Sequence, residues 1–343
     1  MKVLEETLQH IESLNQEDMV QQQAYINSLL KTPNGLGKLE KMAIQVAGIQ
    51  KDYKVEKKAV VVMAADNGVE KEGVSASKRV ITQYVVEAML AGEASVSSLC
   101  KTLGSDLFVV DLGIDRKEPY KNAINHRIMP KGTNNIRCGE AMSRTQAIEA
   151  IEVGIDMVAK LVKKDYNLLA VGEMGIGNTT TSSACLKALT DLPLIDIVGY
   201  GSGINESTLG LKIAVVEDAV RVNKPDVNDP IDIIQKLGGL DIAAMTGVYL
   251  GAALYKIPVV LDGLISGVSA LLAYRMNPHV REYMIPSHIS EEPGAKYVME
   301  ALDFDPMLYM NMKLGEGSGA VLVFPFVEAA CNFVKDVRLY PEV

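Results

Sequence analysis

Tryptophan is absent from the chain, phenylalanine occurs five times, and aromatic residues make up only 5% of its 343 positions. So sparse a supply argues against platforms that stack single-stranded bases. Positive charge is also short: 34 Lys and Arg stand against 43 Asp and Glu, a formal net charge of −9, with no Lys/Arg-rich run. Nucleic acid is therefore not an expected partner. The four cysteines, Cys100, Cys138, Cys185 and Cys331, are far apart and form no C-x-x-C pair. They read as reduced thiols rather than disulfides or metal ligands. His10, His126, His279 and His288 share no ligand spacing, and no metal is expected. Neither G-x-G-x-x-G nor Gly-Lys-Ser/Thr occurs, which argues against a dinucleotide fingerprint or an ATP-binding loop. Ser318 lacks the G-x-S-x-G frame of a nucleophile elbow, and His288 reads as a structural histidine. No apolar run reaches the length of a membrane span, and Met1-Lys-Val-Leu-Glu-Glu lacks the order of a secretion signal. The expectation is a cytoplasmic protein that binds neither membrane nor nucleic acid.

What is present is a composition 48% hydrophobic, enough for a large core. Residues 1 to about 50 carry helical spacing (Leu4, Leu8, Ile11, Leu14; then Met19 to Leu30; then Leu39 to Ile49), broken at Lys31-Thr-Pro-Asn-Gly-Leu-Gly. From Ala59 strands alternate with helices. Strands are expected at Ala59–Ala64, Asp106–Asp111, Leu168–Val171, Ile195–Val198, Pro258–Leu261 and Met284–Pro286. Helices are expected at Val80–Leu90, Ser143–Lys163, from Thr180, at Leu209–Val222, Asp232–Leu237, Asp241–Leu254 and Ile265–Tyr274, near 295–302, and over Ala320–Val334 despite Pro325. Residues 116–140 read as irregular. This rhythm predicts an α/β fold, a mostly parallel, Rossmann-like sheet with helices on both faces.

The stretch from Leu168 to Ser183 organises the rest. Its apolar start reads as a buried strand, and Gly172, Gly175 and Gly177 form a turn into a helix that Asn178 and the threonines cap. A helix start attracts anions, because its first amides and its dipole both point there. Glu173 in the same turn would repel a phosphate, so it belongs at the other end of the ligand, near a cationic or reacting part. The layout suggests an enzyme acting on a phosphorylated small molecule; an ordinary strand-to-helix connection accounts for the glycines equally well. Acids recur at glycine-lined turns, as Asp66, Glu173, Asp262 and Glu316. Between Gly315 and Gly317, Glu316 can be dried by apolar neighbours and made a better base, or can simply pair with a helix start. Lys212, after the turn Gly199-Tyr-Gly-Ser-Gly203, reads as a phosphate partner or as a solvated lysine.

Several motifs occur together in one order: Lys31-Thr-Pro-Asn-Gly-Leu-Gly-Lys-Leu-Glu40, Ala65-Asp-Asn-Gly-Val69, Glu72-Gly-Val-Ser75, G-E-M-G-I-G-N-T-T from Gly172, Gly238-Gly-Leu-Asp-Ile-Ala-Ala-Met-Thr-Gly247, Leu261-Asp-Gly, Pro286-Ser-His-Ile-Ser290 and Leu314-Gly-Glu-Gly-Ser-Gly-Ala320. Over essentially its full length the chain resembles the nicotinate-nucleotide:dimethylbenzimidazole phosphoribosyltransferases, which activate the lower-ligand base of cobalamin. The resemblance implies a large α/β domain, about 51–295, and a small helical domain built from both ends, 1–50 with about 296–343. It implies no cofactor, and a dimer.

It also implies roles. Nicotinate mononucleotide would set its phosphate on Gly175, Ile176, Gly177, Asn178, Thr179 and Thr180 and on Gly201, Ser202 and Gly203, with Lys212 as counter-charge, and Asp262 and Ser290 would complete the nucleotide site. An aromatic lower-ligand base would lie between Ser77, Val85, Met174 and Leu314. Glu316 would take the azole proton while the opposite nitrogen attacks C1′, and Glu173 would stabilise the cationic centre. The departing pyridinium already carries positive charge, so neither an acid nor a metal is needed to expel it. Asn67 stands where the family pattern usually has His, and Val85 where some members have Gln, so this pocket wall is less polar. Some relatives attach phenol or cresol through oxygen and work as heterodimers. Dimethylbenzimidazole and phenolic acceptors are accordingly rival expectations, as are a homodimer and a heterodimer with a paralogue, in which this chain would mainly complete a neighbour's site.

Overall fold

The computed structural model describes residues 2–341. Its centre is a parallel sheet of six strands in the order β3-β2-β1-β4-β5-β6: β1 (Lys57–Ala65), β2 (Asp106–Gly113), β3 (Ile124–Asn125), β4 (Tyr166–Met174), β5 (Val259–Leu261) and β6 (Met284–Pro286). The chain lays β2 and β3 on one side of β1 and then crosses to lay β4, β5 and β6 on the other. The connections reverse between β1 and β4, and in open parallel sheets such a switch point leaves a crevice outside the strands' carboxyl ends.

In chain order the helices are α1 (Lys2–His10), α2 (Gln16–Ser28), α3 (Lys38–Ile49), α4 (Val80–Ala91), α5 (Ser95–Leu103), α6 (Arg144–Val162), α7 (Asn178–Thr190), α8 (Leu194–Ile197), α9 (Glu206–Asn223), α10 (Pro230–Leu237), α11 (Leu240–Leu254), α12 (Leu264–Met276), α13 (Gly294–Ala301), α14 (Ser318–Val321) and α15 (Phe324–Asp336). Strand periodicity sorts the core into two layers. On β1, Ala59, Val61, Met63 and Ala65 face the layer covered by α1, α6, α7 and α9 to α12, while Val60, Val62 and Ala64 face the one under α3, α4, α5, α14 and α15. At this second face the two ends of the chain meet: α3 packs on α15, and Leu29 bridges Leu339. Inside the K-T-P-N-G-L-G-K-L-E segment, Lys31 pairs with the buried Glu40 at 2.9 Å, and Glu40 also accepts the Leu36 amide.

Most elements fall where the sequence puts them, including the start of α6, where Ser143 and Gln146 form a reciprocal capping box. Three expectations change. The segment Ile195–Val198 is not a strand; Leu194–Ile197 is a single helical turn started by Pro193, with Ile195 exposed. The irregular region 116–140 contributes the two-residue edge strand β3 beside β2. The helix after β4 begins at Asn178, not Thr180, with Gly177 in the capping position and no side-chain cap, because Asn178 turns inward instead. Although no apolar run of membrane length stands out in the sequence, the helical stretch Ser318–Asp336 is long and apolar enough to cross a membrane. Half of it is buried, with Phe324, Val327, Ala330 and Cys331 in the second core layer, as for a core helix.

Candidate functional site

A cavity of about 270 Å³ opens beyond the carboxyl ends of β4 and β5, with α4 and the turn before α14 among its other walls. Fifteen of the eighteen residues singled out from the sequence line it: Glu173, Met174, Gly175, Ile176, Gly177, Asn178, Thr179, Gly201, Ser202, Asp262, Ser290, Ser77, Val85, Leu314 and Glu316. Thr180, Gly203 and Lys212 do not. Thr180 faces inward from α7 and is fully buried.

Glu173, at the end of β4, and Glu316, in the turn before α14, form one unit. The Glu316 N–H donates to Glu173 Oε1 at 3.3 Å. Gly315 has φ +87°, and a Cβ there would strike the same Glu173 oxygen; Gly172 has no room for a Cβ because the Glu316 carbonyl lies against it. Gly315, Glu316 and Gly317 are three successive residues with positive φ, Glu316 at 65°. An L-residue in that region is strained, and such strain gathers at functional sites. Glu316 is 8% exposed, and its Oε2 accepts the Val96 N–H at the start of α5 at 3.3 Å. Both readings of this residue therefore meet in one side chain: it touches a helix start and also borders the cavity. Burial first, and then the field of Asp262, push its carboxyl up, and the Val96 amide opposes them.

Beneath Glu173 lies a polar cluster that the sequence did not assign. Asn178 Nδ2 donates to Glu173 Oε2 and, at 3.2 Å, to Asp241 Oδ2 at the start of α11. Asn67 lies against the same aspartate, with its own Oδ1 buried and unpartnered. Burial, reinforced by Asp241, pushes Glu173 up to about 8, and burial holds Asp241 at about 6. Buried acids with so little cationic compensation favour a positively charged occupant.

The opposite wall is the anion side, and fewer amides are free there than the sequence implied. Ile176 N–H already donates to Thr82 Oγ1, Asn178 N–H to Gly175 O, Thr180 N–H to Gly177 O, Gly201 N–H to Glu292 Oε1 and Gly203 N–H to Tyr200 O. Those of Gly175, Gly177, Thr179 and Ser202 have no partner among the described residues and remain to meet a ligand. Lys212 is neither solvated nor in the cavity. Fully buried on α9, it donates through Nζ to Thr179 Oγ1 at 3.0 Å and Gly199 O at 2.9 Å. Burial lowers it to about 8, while Glu292 pulls the other way. Its charge reaches the cavity through the Thr179 hydroxyl.

The third wall is largely aliphatic. Ile81, Val85, Met174, Ile176, Ile265 and the half-exposed Leu314 surround a space edged by Ser75 and Ser77. His288 also borders the cavity, its Nδ1 3.0 Å from Ser287 Oγ and 3.9 Å from Asp262 Oδ1. The residues that sequence reasoning passed over, Asp241, His288 and Glu292, all lie in or beside motifs it quoted. What it had no means to see was that these segments converge.

Comparison with known proteins agrees along the whole chain. A family model described as phosphoribosyltransferase matches residues 11–342. The chain is 44% identical over 342 residues to the nicotinate-nucleotide–dimethylbenzimidazole phosphoribosyltransferase of Acetivibrio thermocellus, covering 99% of this chain and 97% of that one. To the enzyme of the same name from Ruminiclostridium cellulolyticum it is 46% identical, over 95% and 93% of the two chains. The solved structure of the Thermus thermophilus enzyme superposes with a TM-score of 0.89 at 33% identity, over 95% of this chain and 97% of that one. The chain belongs to the nicotinate-nucleotide–dimethylbenzimidazole phosphoribosyltransferase family and is a pentosyltransferase.

Proposed function

We propose that the chain moves ribose 5-phosphate from nicotinate mononucleotide to 5,6-dimethylbenzimidazole, releasing nicotinate and an α-riboside phosphate. The observation that carries this reading is the cavity's polarity. Two linked, nearly dry carboxylates, Glu173 and Glu316, stand on one side, and free amides backed by a buried ammonium stand on the other. The phosphate is held by the N–H groups of Gly177, Thr179 and Ser202, with Lys212 acting through the Thr179 hydroxyl. The ribose lies towards Asp262 and Ser290, and the flat acceptor fills the aliphatic wall formed by Val85, Met174 and Leu314.

In the reaction one azole nitrogen attacks C1′ with its lone pair. The C1′–N bond to nicotinate breaks, its electrons neutralise the pyridinium, and the proton on the azole's other nitrogen passes to Glu316. A carboxylate raised by burial is a stronger base than one in water. Glu173 sits where positive charge is shared between ribose and acceptor and stabilises it. Attack opposite the leaving group turns a β-linked donor into an α-linked product.

The low polarity of the wall at Ile81 and Val85 favours a second acceptor class, a phenol attacking through oxygen with Glu316 taking its proton. The test is to incubate the purified chain, alone, with nicotinate mononucleotide and either dimethylbenzimidazole or p-cresol, and to follow nicotinate release. Turnover with the benzimidazole supports the reading, and turnover with the phenol alone moves the acceptor to the second class. No release with either acceptor would leave the chain as a partner subunit that needs a paralogue.

A further inference from the structure

Asp262 follows the last residue of β5, and its carboxylate is 1% exposed. The sequence resemblance places it among nucleotide contacts, yet its oxygens are already engaged by backbone. Oδ2 accepts the Gly317 N–H at 3.0 Å, and Oδ1 accepts those of Gly319 at 2.8 Å and Ala320 at 3.1 Å. These amides close the Gly315–Gly317 turn and open α14, a helix of only four residues. From the geometry we propose that Asp262 is a positioning residue that aims Glu316, acting through the backbone of residues 317–320.

The turn is gripped on both flanks by carboxylates from the sheet. Glu173 on β4 takes the Glu316 N–H, and Asp262 beyond β5 takes the three amides downstream. The two grips fall within and just after the run of three positive-φ residues, a path that an unrestrained glutamate abandons. Asp262 is itself fixed: its N–H donates to Ser266 Oγ at 3.0 Å, and the His288 ring lies 3.9 Å from Oδ1. A side chain that only touched ribose would not need to satisfy three amides of one turn, those of Gly317, Gly319 and Ala320.

The proposal rests on the reading of Glu316 as the base, and the test separates the two. Turnover and mononucleotide affinity are measured for D262N, E316Q and the double variant. The asparagine in D262N keeps the size and can still accept from Gly319 and Ala320, but it sets an NH2 against the Gly317 N–H. Expected are a turnover loss of about 10- to 100-fold in D262N, as for a base displaced by an ångström, and mononucleotide affinity changed less than about threefold. The double variant should be within about twofold of E316Q alone, since two residues that act as one do not add. Losses that multiply in the double variant would overturn the proposal. So would unchanged turnover in D262N, or a tenfold loss of mononucleotide affinity with turnover kept, which would return Asp262 to the nucleotide. Wild-type turnover in E316Q would instead remove the base reading. Should D262N fail to fold, D262E, which keeps the charge but shifts it by a methylene, enters the same cycle with the same expectations.

Discussion

Replacing Lys212 with methionine should make the protein more stable and a worse enzyme at once. The ammonium is fully buried, and burial takes its pKa from 10.5 to about 8. At about 1.4 kcal/mol per unit, holding that charge in the empty protein costs about 3 kcal/mol. Methionine fills nearly the same volume without charge, but Gly199 O loses its donor, which takes back about 1–3 kcal/mol. The net gain is on the order of 1 kcal/mol, or about 2 °C in Tm for a chain of this size. Its pH dependence is fixed by sign. The folded-state pKa is the lower one, so below about 8 lysine is charged in both states and the cost is complete; as pH rises from about 8 to 10.5 the folded lysine has lost its proton and the cost fades. The methionine variant should therefore lead below about pH 8 and lose that lead by about pH 10.5. In turnover assays its KM for nicotinate mononucleotide should rise about 10- to 100-fold, the worth of a charge-assisted contact. Thermal melts at stepped pH and nicotinate-release kinetics read both effects. A variant that is less stable at neutral pH, a lead that ignores pH, or an unchanged KM would refute the reasoning.

Glu316→Gln should cut turnover by about two to four orders of magnitude while calorimetry still finds the mononucleotide bound. Gly315→Ala forces a Cβ onto Glu173 Oε1 at φ +87°; the expected result is a loss of about 1–3 kcal/mol in denaturant titrations and a turnover loss larger than any change in KM. Glu173 is raised to about 8, and Asp241 and Asp66 to about 6, each chiefly by burial. Their folded pKa values lie above the unfolded ones, so the folded chain takes up protons as pH falls from about 8 towards 5, and Tm of the ligand-free protein should climb over that window. A Tm that falls steadily over the same range would show that these acids are not buried as described.

The sheet was legible because β1 and β4 are apolar runs each ending in a glycine-bearing turn, a pattern with few other solutions. Ile195–Val198 misled for the same reason: four largely aliphatic residues look alike as buried strand or as a turn of helix, and Pro193 tipped the balance towards helix. β3 was invisible because a two-residue edge strand leaves no periodicity to detect. At the site, the glycines and acids of 172–180 and 314–320 announced themselves through local spacing. Partnership did not. That Asn178 would abandon its capping role for Glu173 and Asp241, or that Lys212 would be drawn fully inside, depends on what α11 and the 199–203 turn bring from elsewhere in the chain. Asp262 was found by its motif, but the amides that engage it lie more than fifty residues away and leave no mark on the local spacing.

The left-handed path through residues 315–317 also has an evolutionary reading. Glu316 alone carries a side chain along a course that glycine follows freely, so the fold works against the residue on which the proposed chemistry depends. A duplicated copy relieved of selection for turnover would become sturdier by drifting to glycine there. Retention of glutamate in any descendant is then a mark of continued use, readable without an assay.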